Sequence, residues 1–425
     1  MNYAEIVNLI FTIITTIVSL FYVQFIVFGI IGLFAKKTYS KAKTQHKFAI
    51  VIPARNEQFV IENLIKSIRK SNYPQDKLDI FVMAHNCTDK TAEFSRNLGV
   101  NVYEYNNNNE RTKGYALKYL FEQLKKDLPN GVKTYDGYFI FDADNLVSEN
   151  YFEKMNDAFD FHGDKAIITS YRNAKNFDEN LMSGMYGMYF LYGCRYEMKG
   201  RAACNLSSRI SGTGFVVGSE VLKDGWNYVT LTEDWEFTAD QLIAENKIRY
   251  CHDAIMYDEQ PTDFKVQWTQ RVRWQKGHLQ VCGTRLGKLI KNLFNPKKKY
   301  KVSTYDLCAN CLPFCLMYVF IYVGQFIALL FAPLFGLSLA PLILNYILSL
   351  SITLAIGYFT FLLTAILLFI LERDRVKSMS LWKKIKICLV FPFFMGLQFP
   401  IDVVAMCSRN LTWKVIPHKN NSSVN

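Results

Sequence analysis

The chain has 425 residues, half of them apolar, with 49 basic and 37 acidic side chains and a formal net charge of +12. Totals of 22 glycines, 11 prolines and 10 cysteines exclude a collagen-like chain, a long disordered tail and a disulfide scaffold. A mean hydropathy of +0.04 lies between the values of soluble and wholly membrane-embedded proteins, so polar and apolar residues must be segregated along the chain.

Ile6 to Phe34 is an almost continuous apolar run without a charge, longer than the ~20 residues that span a bilayer. No Lys or Arg precedes it, whereas Lys36, Lys37, Lys41, Lys43 and Lys47 follow. A secretory signal has the opposite layout. The positive-inside rule predicts a transmembrane helix within residues 1–35, an external N-terminus and a cytoplasmic domain after it.

That domain is expected over 48–300, where composition becomes mixed. Phe48 to Pro53 reads as a buried strand, and Glu57 to Lys70 as a helix with Ile61, Leu64, Ile65 and Ile68 on one side. Strands at Asp79–Ala84, Asn101–Tyr105 and Tyr138–Phe141 alternate with helices at Thr88–Asn97 and Lys113–Lys126. This spacing predicts an α/β domain with a mostly parallel sheet and ligands at the carboxyl ends of its strands. Neither a Walker A loop nor a G-x-G-x-x-G fingerprint is present, which removes most of the support for kinases, ATPases and dinucleotide-dependent dehydrogenases.

Lys297-Lys298-Lys299-Tyr300-Lys301 marks a second membrane boundary. Basic clusters placed at membrane ends favour anionic lipid and argue against nucleic acid as a partner. Apolar stretches at Leu307–Phe331, Leu339–Leu371 and Ile387–Met406 predict a C-terminal membrane region over 306–407, with two or three spans. The last is interrupted by Pro392, Pro400 and Asp402, so it either crosses or lies at the interface. Cys308, Cys311 and Cys315 fall on one face of a helical pattern without His or acidic neighbours, which is read as membrane packing. Asn410 and Asn421 head N-glycosylation sequons, relevant only where organism and topology allow.

Three polar constellations carry candidate chemistry. Asp142-x-Asp144 follows an apolar strand and offers two carboxylates pointing the same way, suited to Mg²⁺ or Mn²⁺ shared with a diphosphate. Thr232-Glu233-Asp234 opens a helical pattern. It is either an N-cap with first-turn acids or the seat of a general base at Asp234. Gln270-Arg271-Val272-Arg273-Trp274 combines groups that bind diphosphate and sugar, yet also fits an interfacial anchor.

Taken in order, these segments resemble the membrane-embedded members of glycosyltransferase family 2, which include the cellulose, hyaluronan, chitin and poly-N-acetylglucosamine synthases. The resemblance rests on Ile52-Pro53-Ala54-Arg55-Asn56-Glu57, Asn86-Cys87-Thr88-Asp89, Lys113-Gly114-Tyr115-Ala116-Leu117, Asp142-Ala143-Asp144, Thr232-Glu233-Asp234 and the Gln270–Trp274 segment. It runs from about Phe48 to Arg285 and implies the GT-A fold. It also implies that Pro53, Ala54, Asn56, Glu57, His85, Asp89, Lys113, Asp142, Ala143, Asp144 and Arg273 hold the nucleotide donor. Asp142 and Asp144 would bind the metal, Asp234 with Glu233 would serve catalysis, and Gln270 and Trp274 would meet the acceptor. Ser211-Gly212-Thr213-Gly214 resembles the acceptor-floor loop, which adds Gly212, Thr213 and Gly214 to that set. Many family members have Asp where this chain has His85, so uracil recognition is a weaker expectation than diphosphate binding.

The implied activity is metal-dependent, inverting transfer of a hexosyl or N-acetylhexosaminyl group from a nucleotide sugar, with UDP the family's usual carrier. The expected product is a β-linked extracellular polysaccharide made at a plasma membrane, with a bacterial source suggested by the Lys- and Asn-rich composition. A growing glycan, membrane lipids and an accessory membrane subunit are the implied partners. One alternative is transfer of a single sugar to a lipid. Another is a membrane protein that binds nucleotide sugars without turnover.

Overall fold

A computed structural model describes residues 1–376 and 379–408; the sequons at Asn410 and Asn421 lie outside the described residues. Eight strands form one sheet in the order β3-β2-β1-β4-β7-β6-β8-β5. They are β1 (Phe48–Ala54), β2 (Leu78–His85), β3 (Asn101–Tyr105), β4 (Gly137–Ile140), β5 (Leu146–Val147), β6 (Ile167–Ala174), β7 (Phe215–Gly218) and β8 (Ile248–Asp258).

The helices in chain order begin with α1 (Tyr3–Phe21), α2 (Val23–Phe34), α3 (Ile61–Arg69), α4 (Thr91–Asn97), α5 (Lys113–Asp127) and α6 (Tyr151–His162). Next come α7 (Leu181–Leu191), α8 (Lys199–Ala203), α9 (Glu233–Ile243) and the long α10 (Phe264–Phe294). The last described helices are α11 (Lys301–Cys311), α12 (Phe314–Leu329), α13 (Leu339–Leu371), α14 (Leu381–Gly396) and α15 (Gln398–Cys407).

Strict alternation along β1 sends Phe48, Ile50 and Ile52 to one face and Ala49 and Val51 to the other. The first face packs on Ile61, Leu64, Ile65 and Ile68 of α3 and on Phe152, Met155 and Phe159 of α6. The second packs on Leu117, Leu120, Phe121 and Leu124 of α5, whose spacing builds one helical stripe. Strands β3, β2, β1 and β4 are all parallel, so the turns after β1, β2 and β4 open at one edge.

The expected mostly parallel sheet holds only for that half. Strand β7 runs antiparallel to both β4 and β6, and β5 runs antiparallel to β8, while β6 and β8 are parallel. The sheet is therefore mixed. Helix α3 starts at Ile61 rather than Glu57, because Asn56 adopts φ 60° and the amides of Glu57 and Gln58 donate to Thr91 Oγ1 and the Asp89 carboxylate.

The N-terminal apolar run is not one helix. It breaks at Tyr22, and α1 alone has the length and composition to cross a membrane. The shorter α2 packs on α8 and on a π-helical segment at Tyr192–Met198; Gly200 sits so close to α2 that a Cβ there would lie 1.9 Å from the Phe28 carbonyl oxygen. Among the described residues, three apolar helices are long enough to span, namely Tyr3–Phe21, Leu339–Leu371 and Leu381–Cys407. The chain is a multi-pass membrane protein.

The ambiguity expected for the last apolar stretch belongs instead to Leu307–Phe331. There α11 and α12 meet at 59° across Leu312 and Pro313, as one broken span or a re-entrant loop. Cys315 therefore lies beyond the break, off the helix carrying Cys308 and Cys311, which pack with Cys282. All ten cysteines are free.

Candidate active site

Lys113 stands at the N-terminus of α5, Asp142 just beyond β4 and Asp234 in the first turn of α9. The fold brings these three distant segments together. Lys113 Nζ donates to Asp142 Oδ1 at 2.5 Å and to the Gly212 carbonyl at 2.7 Å. Burial disfavours its ammonium, but the carboxylates of Asp142, Glu233 and Asp234 outweigh that cost and raise its pKa. Gly212 has φ 78°, and a Cβ there would lie 3.8 Å from Asp234 Oδ2, so this loop brings bare backbone beside the carboxylate.

Asp234 Oδ1 accepts from the Trp235 amide at 2.9 Å, and burial raises the Asp234 pKa. Burial also pushes its neighbour Glu233 up to about 7. Thr232 occupies the N-cap position, yet makes no capping hydrogen bond, because its side chain packs against Gly277 of α10. Glu233 and Asp234 themselves line the central cavity. Arg273 extends from α10 to the Leu231 carbonyl at 3.4 Å; burial lowers its pKa, opposed by Glu233, Asp234 and Asp142.

At the strand ends, Glu57 is pushed up to about 9 by burial and by the carboxylates of Asp144, Asp142, Asp89 and Glu259. Asp144 Oδ2 accepts from the Glu259 amide at 3.2 Å, and its Oδ1 accepts from Asn145 at 3.1 Å. This crowding of oxygen ligands fits a hard divalent cation. Asp142 and Asp144 would hold it, leaving positions for water and diphosphate oxygens, since no three His, Cys, Asp or Glu side chains among the described residues form a ready ligand set. His85 is buried with its ring parallel to Tyr105, 8° between planes and 5.6 Å between centroids. Burial lowers its pKa, so it presents a neutral imidazole.

One cavity of about 1400 Å³ joins these groups. Pro53, Ala54, Glu57, His85, Lys113, Asp142, Ala143 and Asp144 line its donor end; Gly212, Thr213, Glu233, Asp234, Gln270, Arg273 and Trp274 line its middle. Three expected site residues are absent from that wall. Asn56 instead takes the Thr88 amide at 2.8 Å. Asp89 accepts from Gln58 N at 3.2 Å, Thr91 N at 3.0 Å and Thr91 Oγ1 at 2.6 Å, which ties two turns together. Gly214, with φ 65°, packs on Met256 and Ser170. Thr213 reaches the cavity, but its hydroxyl accepts from the Asp142 amide at 2.9 Å and donates to Asn145, so it braces the D-x-D turn.

The wall also contains groups that the sequence did not single out. Arg172 of β6 donates to Asp258 at 2.6 Å and to the Ser211 carbonyl at 2.9 Å, fixing the floor of the loop before Gly212. Neither Arg172 nor Asp258 lies in a recognisable motif. Gln270 accepts from Tyr186 at 3.2 Å, and Trp274 meets Tyr186 edge-on at 6.3 Å.

Beyond Trp274 the cavity continues between membrane helices, where Ile26, Phe314, Leu354, Gly357 and Phe393 line it. Leu354 and Phe393 are 65% and 66% exposed, as are outward-facing apolar side chains elsewhere on the spanning helices.

A model of the family described as "Glycosyltransferase like family 2" matches residues 46–277. The protein named probable glycosyltransferase YdaM of Bacillus subtilis (strain 168) is 27% identical over 266 residues, 60% of this chain and 59% of that one. The β-monoglucosyldiacylglycerol synthase of Nostoc sp. (strain PCC 7120) is 24% identical over 269 residues, 62% of this chain and 56% of that one. The match thus spans somewhat under two thirds of these curated relatives. Among solved structures, the mannosyltransferase PcManGT from Pyrobaculum calidifontis, in complex with GDP-Man and Mn²⁺, superposes with a TM-score of 0.56. It has 16% identity, and the match covers 93% of this chain and 99% of that one. That likeness establishes the GT-A-like fold.

Proposed function

The chain belongs to glycosyltransferase-like family 2, and from that premise we propose that it transfers a single sugar from a nucleotide sugar to a hydroxyl-bearing membrane lipid. The observation that carries this reading is the cavity itself. It begins at carboxylates and a lysine suited to a diphosphate and ends between membrane helices, where Leu354 and Phe393 bring apolar side chains to its wall. A water-soluble acceptor has no use for such an entrance. A lipid can place its tails there and its head group beside Asp234. The kinship with a lipid glucosyltransferase supports the same reading.

In this account the catalytic domain is cytoplasmic and Asp234 is the general base. Its carboxylate takes the proton of the acceptor hydroxyl as that oxygen attacks the anomeric carbon, and inversion follows from the single displacement. Glu233 keeps negative charge beside Asp234, which raises the proton affinity of the pair. Lys113 and Arg273 bring positive charge to the side where the diphosphate departs. Mg²⁺ or Mn²⁺ held by Asp142 and Asp144 would neutralise charge on the leaving diphosphate. His85 would hydrogen-bond a base edge without contributing charge.

Polysaccharide synthesis is the second reading, favoured by Tyr22, Tyr318 and Tyr358, whose rings line the membrane arm and could stack on sugars. Its difficulty is the apolar part of that arm, where Leu354 and Phe393 offer a hydrophilic polymer no hydrogen-bond partner.

The entrance can be blocked. A Cβ added at Gly357 meets nothing within 4 Å, so a side chain can leave the backbone there without a clash. Gly357→Trp is expected to lower kcat/KM for a lipid acceptor by about tenfold or more, the cost of losing one well-packed apolar contact region. Nucleotide-sugar affinity, measured by calorimetry, should remain unchanged. Unaltered lipid kinetics in this variant would remove the membrane arm from the acceptor path.

A further inference from the structure

Leu381–Cys407 is long and apolar enough to cross a membrane, yet it stays in contact with the catalytic domain from its first turn to its last. Near its start, Lys383 Nζ donates to the Asp178 carbonyl at 2.5 Å, just before α7. One turn on, a Cβ at Gly184 of α7 would lie 2.5 Å from Ile387 Cδ1. In its middle, Arg271 of α10 donates to the Phe394 carbonyl at 3.1 Å and to Gln398 Oε1 at 3.2 Å. At its end, Ile401 and Ala405 are wholly buried against Val272 of α10. A helix rising from Lys383 to Ala405 covers about 33 Å, enough to traverse the ~30 Å hydrocarbon layer. A crossing helix would therefore leave the domain behind, unless α7 and α10 crossed with it. They do not. Tyr186 of α7 donates to Gln270 of α10 at 3.2 Å, and Arg285 of α10 donates to Glu236 and Asp240 of α9 at 2.8 and 3.1 Å. Lys265, Arg271, Arg273, Lys276, Arg285 and Lys288 make α10 too charged for hydrocarbon.

The other apolar helices do leave the domain. Tyr3 at the start of α1 stacks on Phe335 at 4.2 Å and donates to the Ala328 carbonyl at 2.9 Å, in the turn between α12 and α13. Their opposite ends are tied to the domain side, where Tyr305 donates to the Phe21 carbonyl at 2.6 Å and Glu372 pairs with Arg195 at 2.7 Å.

We infer that Leu381–Cys407 does not cross the membrane. It lies along the bilayer surface on the side of the catalytic domain, with its outward face against the lipid of that leaflet, and α1, α12 and α13 are the crossing helices. Crossing and returning is excluded by length, since α14 and α15 have only 16 and 10 residues. The charge pattern agrees. Lys383, Lys384 and Lys386 stand at its start; Arg409, Lys414 and Lys419 follow it, with no acidic residue in 403–425. Basic flanks at both ends belong on one face of a membrane. Trp382 beside those first lysines is exposed, as are Leu389, Phe393 and Met406 on the outward face, the pattern of a helix resting in the interface. The same placement accounts for Asp402, which is costly within hydrocarbon but here accepts from Gln398 Nε2 at 2.7 Å, beside Arg271. Pro392, Gly396, Leu397 and Asp402 line the cavity, so one of its walls is this surface helix. The inference goes beyond the reading of function and holds for either acceptor.

The test uses the full chain in sealed membrane vesicles of both orientations, with a protease-cleavable epitope joined by a flexible linker after Asn425. Glu122 is exposed on α5, so labelling of Glu122→Cys by a membrane-impermeant maleimide reports which face carries the catalytic domain. The epitope is expected to be removed by added protease in the vesicles where Glu122→Cys labels, and to survive where it does not. Cys407 is exposed at the end of α15 and supplies a second reading without a tag. Located by peptide mass spectrometry, its modification is expected in the same vesicles as that of Glu122→Cys. Removal of the epitope only where Glu122→Cys stays unlabelled, or modification of Cys407 from that opposite face, overturns the inference and makes Leu381–Cys407 a fourth span. Should Cys407 stay unmodified from both faces, the epitope decides alone. Either outcome leaves the transfer reaction standing, because the assay reads topology and not turnover.

Discussion

Asp234→Asn is expected to lower turnover by roughly 10²–10⁴-fold, the range for removing a general base, while changing nucleotide-sugar affinity by no more than about twofold to threefold. The two side chains have the same shape, and Asn retains an oxygen for the Trp235 amide that Asp234 Oδ1 now accepts. What disappears is the ability to accept a proton. A pH profile gives the same base a second signature. Burial raises the pKa of Asp234 and pushes Glu233 up to about 7. The reactive form is deprotonated, so kcat/KM should fall as pH drops through this range, with an acid limb that belongs to the pair. Glu233→Gln removes one like charge, and the limb should then move to lower pH. Turnover by Asp234→Asn at the wild-type rate would take the base elsewhere. A wild-type protein that binds donor and never turns it over would return the chain to a binding role.

Removing divalent cations is expected to abolish transfer, with a loss of about a thousandfold or more, since a bound cation contributes several kcal/mol at a developing diphosphate. The burden falls on the carboxylates of Asp142 and Asp144; burial first, and then these two with Asp89 and Glu259, already push Glu57 up to about 9. Lys113 pairs with Asp142 and Lys175 with Glu259, and a divalent cation would add positive charge at the D-x-D turn itself. Activity lost to EDTA should return on adding Mn²⁺ or Mg²⁺. Asp144→Asn should raise the half-activating metal concentration about tenfold, the scale of losing one charged ligand. Donor binding and transfer that persist fully in EDTA would assign the D-x-D turn to lysine-mediated phosphate binding alone.

The half of the sheet from β1 to β4 was legible because its strands are apolar and alternate with patterned helices. Strands β6 and β8 were not. Ile167–Ala174 and Ile248–Asp258 carry polar and charged residues inward toward the cavity, including Arg172 and Asp258, which blurs the strand pattern. Strand β7 has only four residues, too few for a periodic signal. The antiparallel pairings that make the sheet mixed were hidden for the same reason.

The site divides in the same way. Motif spacing located Lys113, Asp142, Asp144, Asp234 and Arg273, whose roles depend on chemistry shared with related sequences. It could not separate Asp142, which faces the cavity, from Asp89, whose oxygens serve Gln58 and Thr91. Nor could it show that Thr213 braces the D-x-D turn. The pairing of Gln398 and Asp402 with α10 joins residues more than 100 positions apart, and Asp402 in the sequence reads only as an interruption of an apolar run.

The central claim is that the cavity admits a lipid and delivers one sugar to it. Its most direct test is to supply the purified protein in nanodiscs with Mn²⁺ and labelled nucleotide sugars, then to resolve products by extraction into organic solvent and by size. A single organic-soluble product carrying one sugar, formed from one donor and lost in Asp234→Asn, is the predicted result. A water-soluble ladder or high-mass polymer formed without a lipid-linked product would contradict the account and make the membrane arm a polymer path.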